Sequence, residues 1–598
     1  MPAFAPLLAL ALAASHADSA PKAAMSDWIT PAERSHFRTT PSYADTRAYL
    51  QRLAEAAPET IHLTRFGVSP EGRDLMLVVA AKDGEFTPEA ARASGRDIVM
   101  VQSGIHAGEI EGKDAAMMLL RDLSVGGKHA KLLDHAILVW LPIFNVDGHE
   151  SSNPYNRINQ NGPDAMGFRA TAQNLNLNRD YVKADAPEMR DWLRMFDAWL
   201  PDLFMDIHTT DGADYQYDLT WYLEELGPLN PAVKAWQDTA FKQSIFPAYD
   251  RMGHLQAPYL ELVDHRDITK GIGNFGSGPR FSTGYVALRN RAALLVETHM
   301  LKSYETRVRA TYDLVVATLE YINAHAGTLR KAVTQADANT VAHADGRELP
   351  LLYKTTDKPV AFTLKGYAFT HEASDLSGDT WVTYDPRTPK TYEIPFYRDL
   401  VVTGSARLPA AYAIPPQWTA IIEKLAEHAI RTERLARPAS VEADRYELGK
   451  PVWAEKPFEG RHMLRDFSIA TKRDTVALPA GTVIVPIDQP AANVAANLLE
   501  PRAPDSLLRW GFLDAIFEQK ESPDARVAET LARGMLAKDP KLKAEFEAKV
   551  AADPAFAKDP AARLAFFYER SPWYATQKVG AYPVLRLDAA ALTAVRIP

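Results

Sequence analysis

Four apolar runs in the first half of the chain alternate with segments of helical periodicity. The runs are DIVMVQSGIH, HAILVWLPIFNVDG, DLFMDIHTTDG and RAALLVETHML, and helix-like segments such as KDAAMMLLRDLS, APEMRDWLRMFDAWL and RATYDLVVATLEYINAHA lie between or after them. This alternation predicts an α/β fold with a mixed, mostly parallel sheet that is flanked by helices. Polar clusters follow the apolar runs, and ligands bind beyond the carboxyl ends of strands in such sheets.

After about residue 335 the apolar runs become shorter and are separated by Pro, Gly, Asp and Thr. KPVAFTLKGYAFT, DTWVTYD and RDLVVTGSARLP predict antiparallel strands of a small sandwich or sheet, whereas QWTAIIEKLAEHAIRTERLA predicts a helix. Farther on, Asp-Pro pairs precede Ala- and Lys-rich runs, as at helix starts with an Asp N-cap. We therefore divide the chain into an α/β domain at residues 25–335 and a C-terminal accessory region at 336–598, first β-rich and then helical.

The first residues, MPAFAPLLALALAASHADSAPKAAM, carry a short apolar run and then small residues that suit a cleavage site. This pattern predicts a signal peptide over residues 1–24 and a periplasmic or secreted protein. If Met25 is the true start, the protein is instead cytoplasmic. No later apolar run reaches the roughly 20 residues that a membrane helix needs, so we expect no membrane span.

Size, charge and cysteine content narrow the chemistry. A chain of 598 residues is expected to form at least two domains. A net charge of -9 argues against nucleic acid as a partner, because nucleic-acid binding needs clustered Lys and Arg. The chain has no Cys, so His, Asp and Glu must supply any metal ligands. The oligomeric state stays open.

The stretch SGIHAGEIEGKDAA places His106 and Glu109 between a predicted strand and a predicted helix. Gly104 and Gly108 allow the backbone to turn tightly there. Alone, the pair also fits a loop His and a first-turn Glu that complements the helix dipole. A hydrolytic zinc site takes three His or carboxylate ligands and keeps one open position, so a third ligand is required.

His208, at the end of another apolar run, is the best candidate for the third ligand. Glu297 is embedded in an apolar strand, where burial raises the pKa of a carboxyl group and a nearby metal lowers it, as a general base requires. A buried salt bridge to an Arg is the alternative for Glu297. His299 shares a strand face with Glu297 and is a rival ligand that ranks below His208.

Two loops between the proposed ligands carry Arg157, Asn178 and Arg179. A guanidinium group binds a carboxylate by two parallel hydrogen bonds or polarises a carbonyl. Loop arginines are commonly solvated surface residues. Next to a metal site, they indicate a substrate with an anionic end.

The order of these motifs resembles the zinc carboxypeptidases of the carboxypeptidase A and B type, over roughly residues 40 to 330. The matching motifs are His-x-x-Glu at 106–109, NVDG at 145–148, NLNRDY at 176–181, and then His208 and Glu297. The resemblance implies one Zn²⁺ per chain, held by His106, Glu109 and His208. It also implies a peptide substrate with a free C-terminal carboxylate.

The resemblance assigns roles to the remaining candidates. Asn178 and Arg179 would hold the terminal carboxylate of the substrate, and Glu297 would take the proton of the attacking water. Arg157 has the spacing of the Arg that assists the carbonyl oxyanion, with Arg169 as the fallback.

Two positions are less well matched to the family. Asn176 stands where the family often has an Asp that supports the first zinc His. We therefore expect the orientation and basicity of His106 to differ from those in the family. Tyr285 is the candidate for the family's substrate-binding Tyr, although it lies close to Glu297 in sequence.

These expectations add up to a metallocarboxypeptidase that hydrolyses C-terminal peptide bonds. One alternative is a zinc amidohydrolase that acts on N-acyl amino acids or cell-wall peptides. The other is a non-catalytic peptide-binding protein on the same fold. The buried Glu297 beside three intact ligands argues against the last, because a binding module has no need of a costly buried carboxylate.

Overall fold

The structure is a computed structural model that describes residues 25–210, 212–225, 229–274, 276–343, 345–575 and 578–596. The predicted signal peptide at residues 1–24 lies outside the described residues. Among the described helices, none is both long enough and apolar enough to span a membrane.

Strands and helices alternate through the first half of the described chain. The strands are Ile61–Val68 (β1), Asp74–Ala80 (β2), Asp97–Ser103 (β3), Ala136–Leu141 (β4), Leu203–Thr210 (β5), Leu219–Leu223 (β6), Gln256–Pro258 (β7), Glu261–Leu262 (β8), Ile272–Gly273 (β9) and Ala292–His299 (β10). The α-helices are Pro31–Arg34 (α1), Tyr43–Ala56 (α2), Pro88–Ser94 (α3), Glu111–Leu123 (α4), Val146–Glu150 (α5), Pro187–Trp199 (α6), Pro231–Gln237 (α7), Phe246–Arg251 (α8), Ser282–Leu288 (α9), Tyr304–Ala324 (α10) and Thr328–Ala342 (α11). Short 3-10 turns cover Met25–Trp28, Ala130–Leu133, Leu177–Arg179 and Ile268–Lys270, and a π-helix covers Asp238–Ile245.

The main sheet joins eight described strands in the order β1-β2-β4-β3-β5-β10-β6-β7. The pairs β3/β4, β3/β5, β5/β10 and β6/β7 are parallel, whereas β1/β2, β2/β4 and β10/β6 are antiparallel. The four apolar runs of the sequence form the parallel centre β4, β3, β5 and β10. The prediction of a mixed, mostly parallel sheet is confirmed.

Successive residues of the central strands enter different hydrophobic cores, because side chains alternate between the two faces of a strand. In β3, Val99 and Val101 belong to the core beneath α4 and α10. Ile98 and Met100 belong to the opposite core, which α6 and α9 cover. Both faces of the sheet are therefore buried, as expected when helices flank a parallel sheet.

The second half of the described chain contains longer strands and a group of helices. The strands are Glu348–Thr355 (β11), Val360–Ala373 (β12), Thr380–Tyr397 (β13), Leu400–Arg407 (β14), Ala411–Ile414 (β15), Glu433–Arg434 (β16), Ala439–Trp453 (β17), Leu464–Leu478 (β18), Val483–Pro486 (β19) and Leu585–Leu587 (β20). The α-helices are Thr419–Glu427 (α12), Ala492–Leu499 (α13), Ala525–Lys538 (α14), Pro540–Ala552 (α15), Pro554–Lys558 (α16), Pro560–Tyr568 (α17), Pro572–Ala575 (α18) and Ala589–Arg596 (α19). A 3-10 turn covers Asp514–Phe517.

The second-half strands divide among separate sheets instead of forming one small sandwich. β11 pairs with β14, and β16-β19-β15-β20-β17-β18 form a further sheet. β12 and β13 join β8 and β9, so this sheet combines strands from both sides of residue 335. Apolar residues of the second half, such as Val485 and Leu498, lie in the same core as Met100 of the main sheet. The C-terminal region thus packs directly on one face of the α/β unit.

The Asp-Pro pairs begin helices, as predicted. Asp539 caps α15 by accepting hydrogen bonds from the Lys541 and Leu542 N–H groups, and Pro540 occupies the first turn. Asp553 and Asp559 cap α16 and α17 with Pro in the same place. These side chains satisfy backbone donors that a helix start otherwise leaves unpaired.

Candidate functional site

The proposed metal ligands come from the carboxyl ends of neighbouring strands. His106 and Glu109 lie in the loop between β3 and α4, and His208 lies near the end of β5. Glu297 is on β10, where it is the register partner of His208 on the adjacent parallel strand. Because cross-strand partners share a face of the sheet, the fold brings these four side chains to one place.

The two His and the Glu form a compact donor group. His106 Nδ1 lies 3.1 Å from Glu109 Oε1, and His208 Nδ1 lies 2.9 Å from Glu109 Oε2. One ligand atom from each residue falls within 4.8 Å of the others, and all three side chains are buried. Two imidazole nitrogens and one carboxylate match a catalytic zinc site that keeps a fourth position open. The donor set therefore fits Zn²⁺.

Each His is oriented by a partner on its other ring nitrogen. His106 Nε2 lies 3.1 Å from Asn176 Oδ1, and His208 Nε2 lies 3.0 Å from Asp206 Oδ2. An Nε2–H that donates to these oxygens would leave Nδ1, the atom that faces Glu109, free to bind a metal. The sequence predicted an amide partner for His106, and the structure places Asn176 there. Asp206 is the additional residue that sequence reasoning missed, although its position two residues before His208 puts it on the same strand face.

Glu297 lines the same cavity and is partly buried. Burial raises its pKa to about 8; His208 acts against this shift, while Glu109 and Asp206 add to it. No Arg ion pair of Glu297 is present among the described residues, so the salt-bridge alternative does not apply. A bound divalent cation would lower the pKa of Glu297, so that it could accept and return a proton near neutral pH.

The cavity at the metal ligands has a volume of about 340 Å³. Its lining includes the sequence-predicted candidates Arg157, Arg169, Asn178 and Arg179, together with residues that the sequence did not single out: Asn156, Ile158, Asn159, Thr209, Thr210, Tyr259, Phe281, Ser282, Thr283, Leu295 and Met300. A cleft that is lined by several Arg side chains and by a group of possible metal ligands suits an anionic ligand.

Arg157 and Arg169 both contact Glu109, but they are held differently. Arg157 Nη1 lies 2.9 Å from Glu109 Oε1, and its Nε donates to Gln160 Oε1 at 2.7 Å. Arg169 Nη1 lies 3.3 Å from the same Oε1. The Arg157 side chain is 12% exposed and that of Arg169 is 44% exposed. Arg157 is therefore the more rigidly placed of the two guanidinium groups.

Asn178 and Arg179 lie on the 3-10 turn between α5 and α6. Asn178 N–H donates to Asn176 Oδ1 at 3.0 Å, and Arg179 Nη1 donates to the Asn178 carbonyl at 2.7 Å. The Arg179 guanidinium also lies over the Phe281 ring, 4.4 Å from its centroid. Burial lowers the pKa of Arg179 to about 10, so the group is charged at neutral pH.

Tyr285 does not reach the cavity. Its side chain is fully buried on α9, and its hydroxyl donates to His428 Nδ1 at 2.9 Å. The placement of Tyr285 as a substrate-binding residue is therefore corrected: it belongs to the core that the C-terminal region shares. Tyr259, directly after β7, lines the cavity instead, and its hydroxyl accepts from Thr210 Oγ1 at 3.4 Å. No local pattern in QAPYLEL distinguishes Tyr259 in the sequence.

His299 also lies outside the metal group. Its ring stacks on Tyr215 with centroids 3.9 Å apart, and its Nε2 lies 3.6 Å from Asp214 Oδ1. The ranking of His299 below His208 agrees with this placement.

Residues 46–240 match the model of the zinc carboxypeptidase family, a range that includes the His-x-x-Glu motif and His208. The chain is 22% identical over 481 residues to Carboxypeptidase 2 of Trichophyton equinum, with 78% of this chain and 82% of that protein covered. Carboxypeptidase 2 of Trichophyton rubrum matches to the same extent.

Among solved structures, the metallo-carboxypeptidase from Burkholderia cenocepacia covers 48% of this chain and 70% of its own, with a TM-score of 0.37 and 18% identity. Carboxypeptidase A from Helicoverpa armigera covers 51% and 80%, with a TM-score of 0.37 and 17% identity. The family match over residues 46–240, together with a buried His-Glu-His group of zinc-site chemistry, shows that this chain contains a zinc carboxypeptidase domain and is a zinc-dependent peptide hydrolase.

Proposed function

We propose that this chain releases C-terminal residues from peptides, with Zn²⁺ held by His106, Glu109 and His208, and Glu297 as the general base. The observation that carries the proposal is the pairing of Glu297 with His208 on adjacent strands. This pairing puts a partly buried carboxylate beside the donor group and inside the same cavity. Bound Zn²⁺ supplies a water of lowered pKa and polarises the scissile carbonyl.

In this proposal Glu297 accepts the proton of the attacking water and delivers it to the leaving amine. Burial raises the pKa of the Glu297 carboxyl group to about 8, and a bound cation would lower it towards neutral pH. A group that ionises near the working pH can act in both steps. Arg157 stands beside Glu109 with a fixed guanidinium, where it would stabilise negative charge that develops on the carbonyl oxygen.

Asn178 and Arg179 would bind the terminal carboxylate of the substrate. Arg179 is charged, lines the cavity and is supported by the Phe281 ring. A carboxylate fixed at this clamp places the last peptide bond of the substrate at the metal. Tyr259 is the aromatic side chain of the cavity with a hydroxyl group, so we propose it as a further substrate contact in place of Tyr285.

The test is hydrolysis of a mixed peptide library, followed by mass spectrometry. We expect loss of single C-terminal residues, abolished by a chelator and by Glu297→Gln. Glu261→Gln, an exposed residue on β8, is the matched control and should leave the products unchanged. Peptides with an amidated C-terminus should resist cleavage. Internal cleavage, or hydrolysis of amidated peptides at the same rate, would contradict the proposal and favour the amidohydrolase alternative.

We also propose that residues 336–598 form an accessory region of the domain at 25–335 and that residues 1–24 direct export. The shared hydrophobic core supports a close association of the two regions. N-terminal sequencing of the protein from its producing cells tests the export segment. A protein that keeps residues 1–24, or one that is found only in the cytoplasm, would contradict it.

A further inference from the structure

A two-residue turn of the C-terminal region, at residues 458–461, lies against the segment that carries the proposed carboxylate clamp. Backbone hydrogen bonds of 2.8 and 3.1 Å join Phe458 and Arg461 in both directions. Between them, Glu459 and Gly460 have φ angles of +50° and +79°. Two consecutive positive φ angles are typical of a type I′ hairpin turn, in which Asn, Asp and Gly are favoured. Glu459 is therefore in a conformation that disfavours its residue type, and its contacts must offset that cost.

The 458–461 turn binds the 174–185 segment at two points. Asn176 N–H donates to Glu459 Oε2 at 2.8 Å. Arg461 makes two parallel hydrogen bonds to the Asp185 carboxylate, at 2.6 and 2.8 Å. Charge-assisted bonds of this kind are stronger than neutral ones, and the paired geometry fixes orientation. The turn thus holds both ends of the segment.

The 174–185 segment needs such external contacts. Asn174 and Ala184, near its ends, have φ angles of +58° and +47°. Ala gains no side-chain hydrogen bond that would favour this conformation, so the backbone is strained there. A segment in this state keeps one shape only when its surroundings hold it.

Asn176 links Glu459 to the side chains of the proposed site. Its N–H donates to Glu459, and its side-chain Oδ1 accepts from Asn178 N–H and lies 3.1 Å from His106 Nε2. Asn178 and Arg179 follow directly on the 3-10 turn. A displacement of Asn176 would therefore move the proposed clamp.

We propose that Glu459 of the C-terminal region is a positioning residue for substrate binding: its carboxylate fixes Asn176, and through it the clamp formed by Asn178 and Arg179. The inference rests on the proposed function of that clamp. Glu459 also supplies negative charge near Arg179, where Arg169 and Arg280 add positive charge. The C-terminal region accordingly completes the site and does more than cover one face of the sheet.

The test compares three variants in the full-length zinc enzyme with an N-acylated dipeptide that has a free C-terminus. Glu459→Gly removes the carboxylate and relaxes the turn, because Gly adopts positive φ without strain. Glu459→Gln keeps an oxygen that accepts the Asn176 N–H. Glu455→Gly removes an exposed carboxylate from the same loop and is the matched control.

For Glu459→Gly we expect KM to rise about tenfold, with kcat within about twofold, because a charge-assisted hydrogen bond is lost from substrate positioning. The melting temperature should stay equal or rise, since the strained residue is replaced. Amide hydrogen exchange of the peptide that contains Asn176 should become faster. Glu459→Gln should keep KM within about threefold of the wild type, and Glu455→Gly should change none of these values.

Comparison of the wild type with the three variants distinguishes failure of the inference from failure of the proposed function. A wild type that hydrolyses the dipeptide while Glu459→Gly keeps its KM within about twofold would overturn the inference alone. A fall in the kcat of Glu459→Gly that is as large as the rise in its KM would also overturn the inference. The same rise in KM in Glu455→Gly would overturn it as well. A wild type without hydrolysis would overturn the proposed function and the inference with it, whereas hydrogen exchange would still report on the bond between Asn176 and Glu459.

Discussion

The site has two halves that are built in different ways. The strand-borne half consists of side chains on β5 and β10, namely Asp206, His208 and Glu297. The loop-borne half consists of side chains in the β3–α4 loop and at the 3-10 turn between α5 and α6, namely His106, Glu109, Asn176, Asn178 and Arg179. Sheet register alone fixes the strand-borne half, because His208 and Glu297 are direct partners on parallel strands. The loop-borne half has no such ladder.

Polar contacts hold the loop-borne half together. Asn176 bonds its neighbours through its side chain and the C-terminal region through its backbone. The outer partner of each His follows the same division: His208 has a carboxylate from its own strand, and His106 has an amide from a distant loop. The comparison shows that strand pairing positions the side chains of the strand-borne half. The positions of the side chains in the loop-borne half depend instead on contacts with segments far away in sequence.

The largest expected effect comes from the strand-borne half. Glu297→Gln should lower kcat by about 10³ and leave KM within about threefold, because the amide cannot accept a proton. Zinc content by elemental analysis should stay at one ion per chain. A kcat loss below about tenfold would assign the general base to another group.

A second prediction separates two guanidinium groups near the loop-borne ligands. Arg157→Ala should lower kcat by about 10², because the better-fixed guanidinium stabilises developing charge. Arg169→Ala should cost less than about tenfold, since its side chain is more exposed. Steady-state kinetics of both variants on one peptide measure the difference. The reverse ranking would transfer the oxyanion role to Arg169.

The two halves also differ in how far the sequence predicted them. His208 and Glu297 were predicted because each ends or interrupts an apolar run, and strand ends meet at one edge of a parallel sheet. His106, Glu109, Asn178 and Arg179 were predicted from their motifs and the order of those motifs. Tyr285 is buried on α9 and does not reach the cavity, whereas Tyr259, which lines the cavity, was not singled out in the sequence. No periodicity indicates where a loop side chain such as that of Tyr259 points.

The accessory region shows the same limit. Its strands and Asp-Pro helix starts followed local rules of periodicity and capping, which are short-range. The pairing of β13 with β9, and the contact of Glu459 with Asn176, join residues far apart in sequence. Local patterns carry no information on such partners.

A third prediction exchanges the outer partners of the two His. Asp206→Asn should weaken zinc binding about 10-fold to 100-fold, because His208 loses the carboxylate that orients it and raises its basicity. Asn176→Asp should tighten zinc binding several-fold by giving His106 such a carboxylate. Competition with a chelating dye at one pH measures both. Weaker binding in both variants would show that the amide is required at Asn176 and that the two halves are not interchangeable.

The smallest expected effect concerns the pH dependence of the stability of the metal-free protein. Without the metal, no bound cation offsets the cost of ionising Glu297. Burial raises the pKa of Glu297 from 4.5 to about 8, so the folded state keeps a proton that the unfolded chain releases between these pH values. The metal-free chain should therefore lose stability as pH rises from about 4.5 to about 8. Glu297→Gln removes this dependence, so its melting temperature in excess chelator should exceed that of the wild type by an amount that grows with pH to a few degrees. Glu261→Gln should follow the wild type at every pH. A difference in melting temperature between Glu297→Gln and the wild type that stays constant across this pH range would contradict the prediction. It would mean that the ionised Glu297 carboxylate does not destabilise the strand-borne half when the metal is absent.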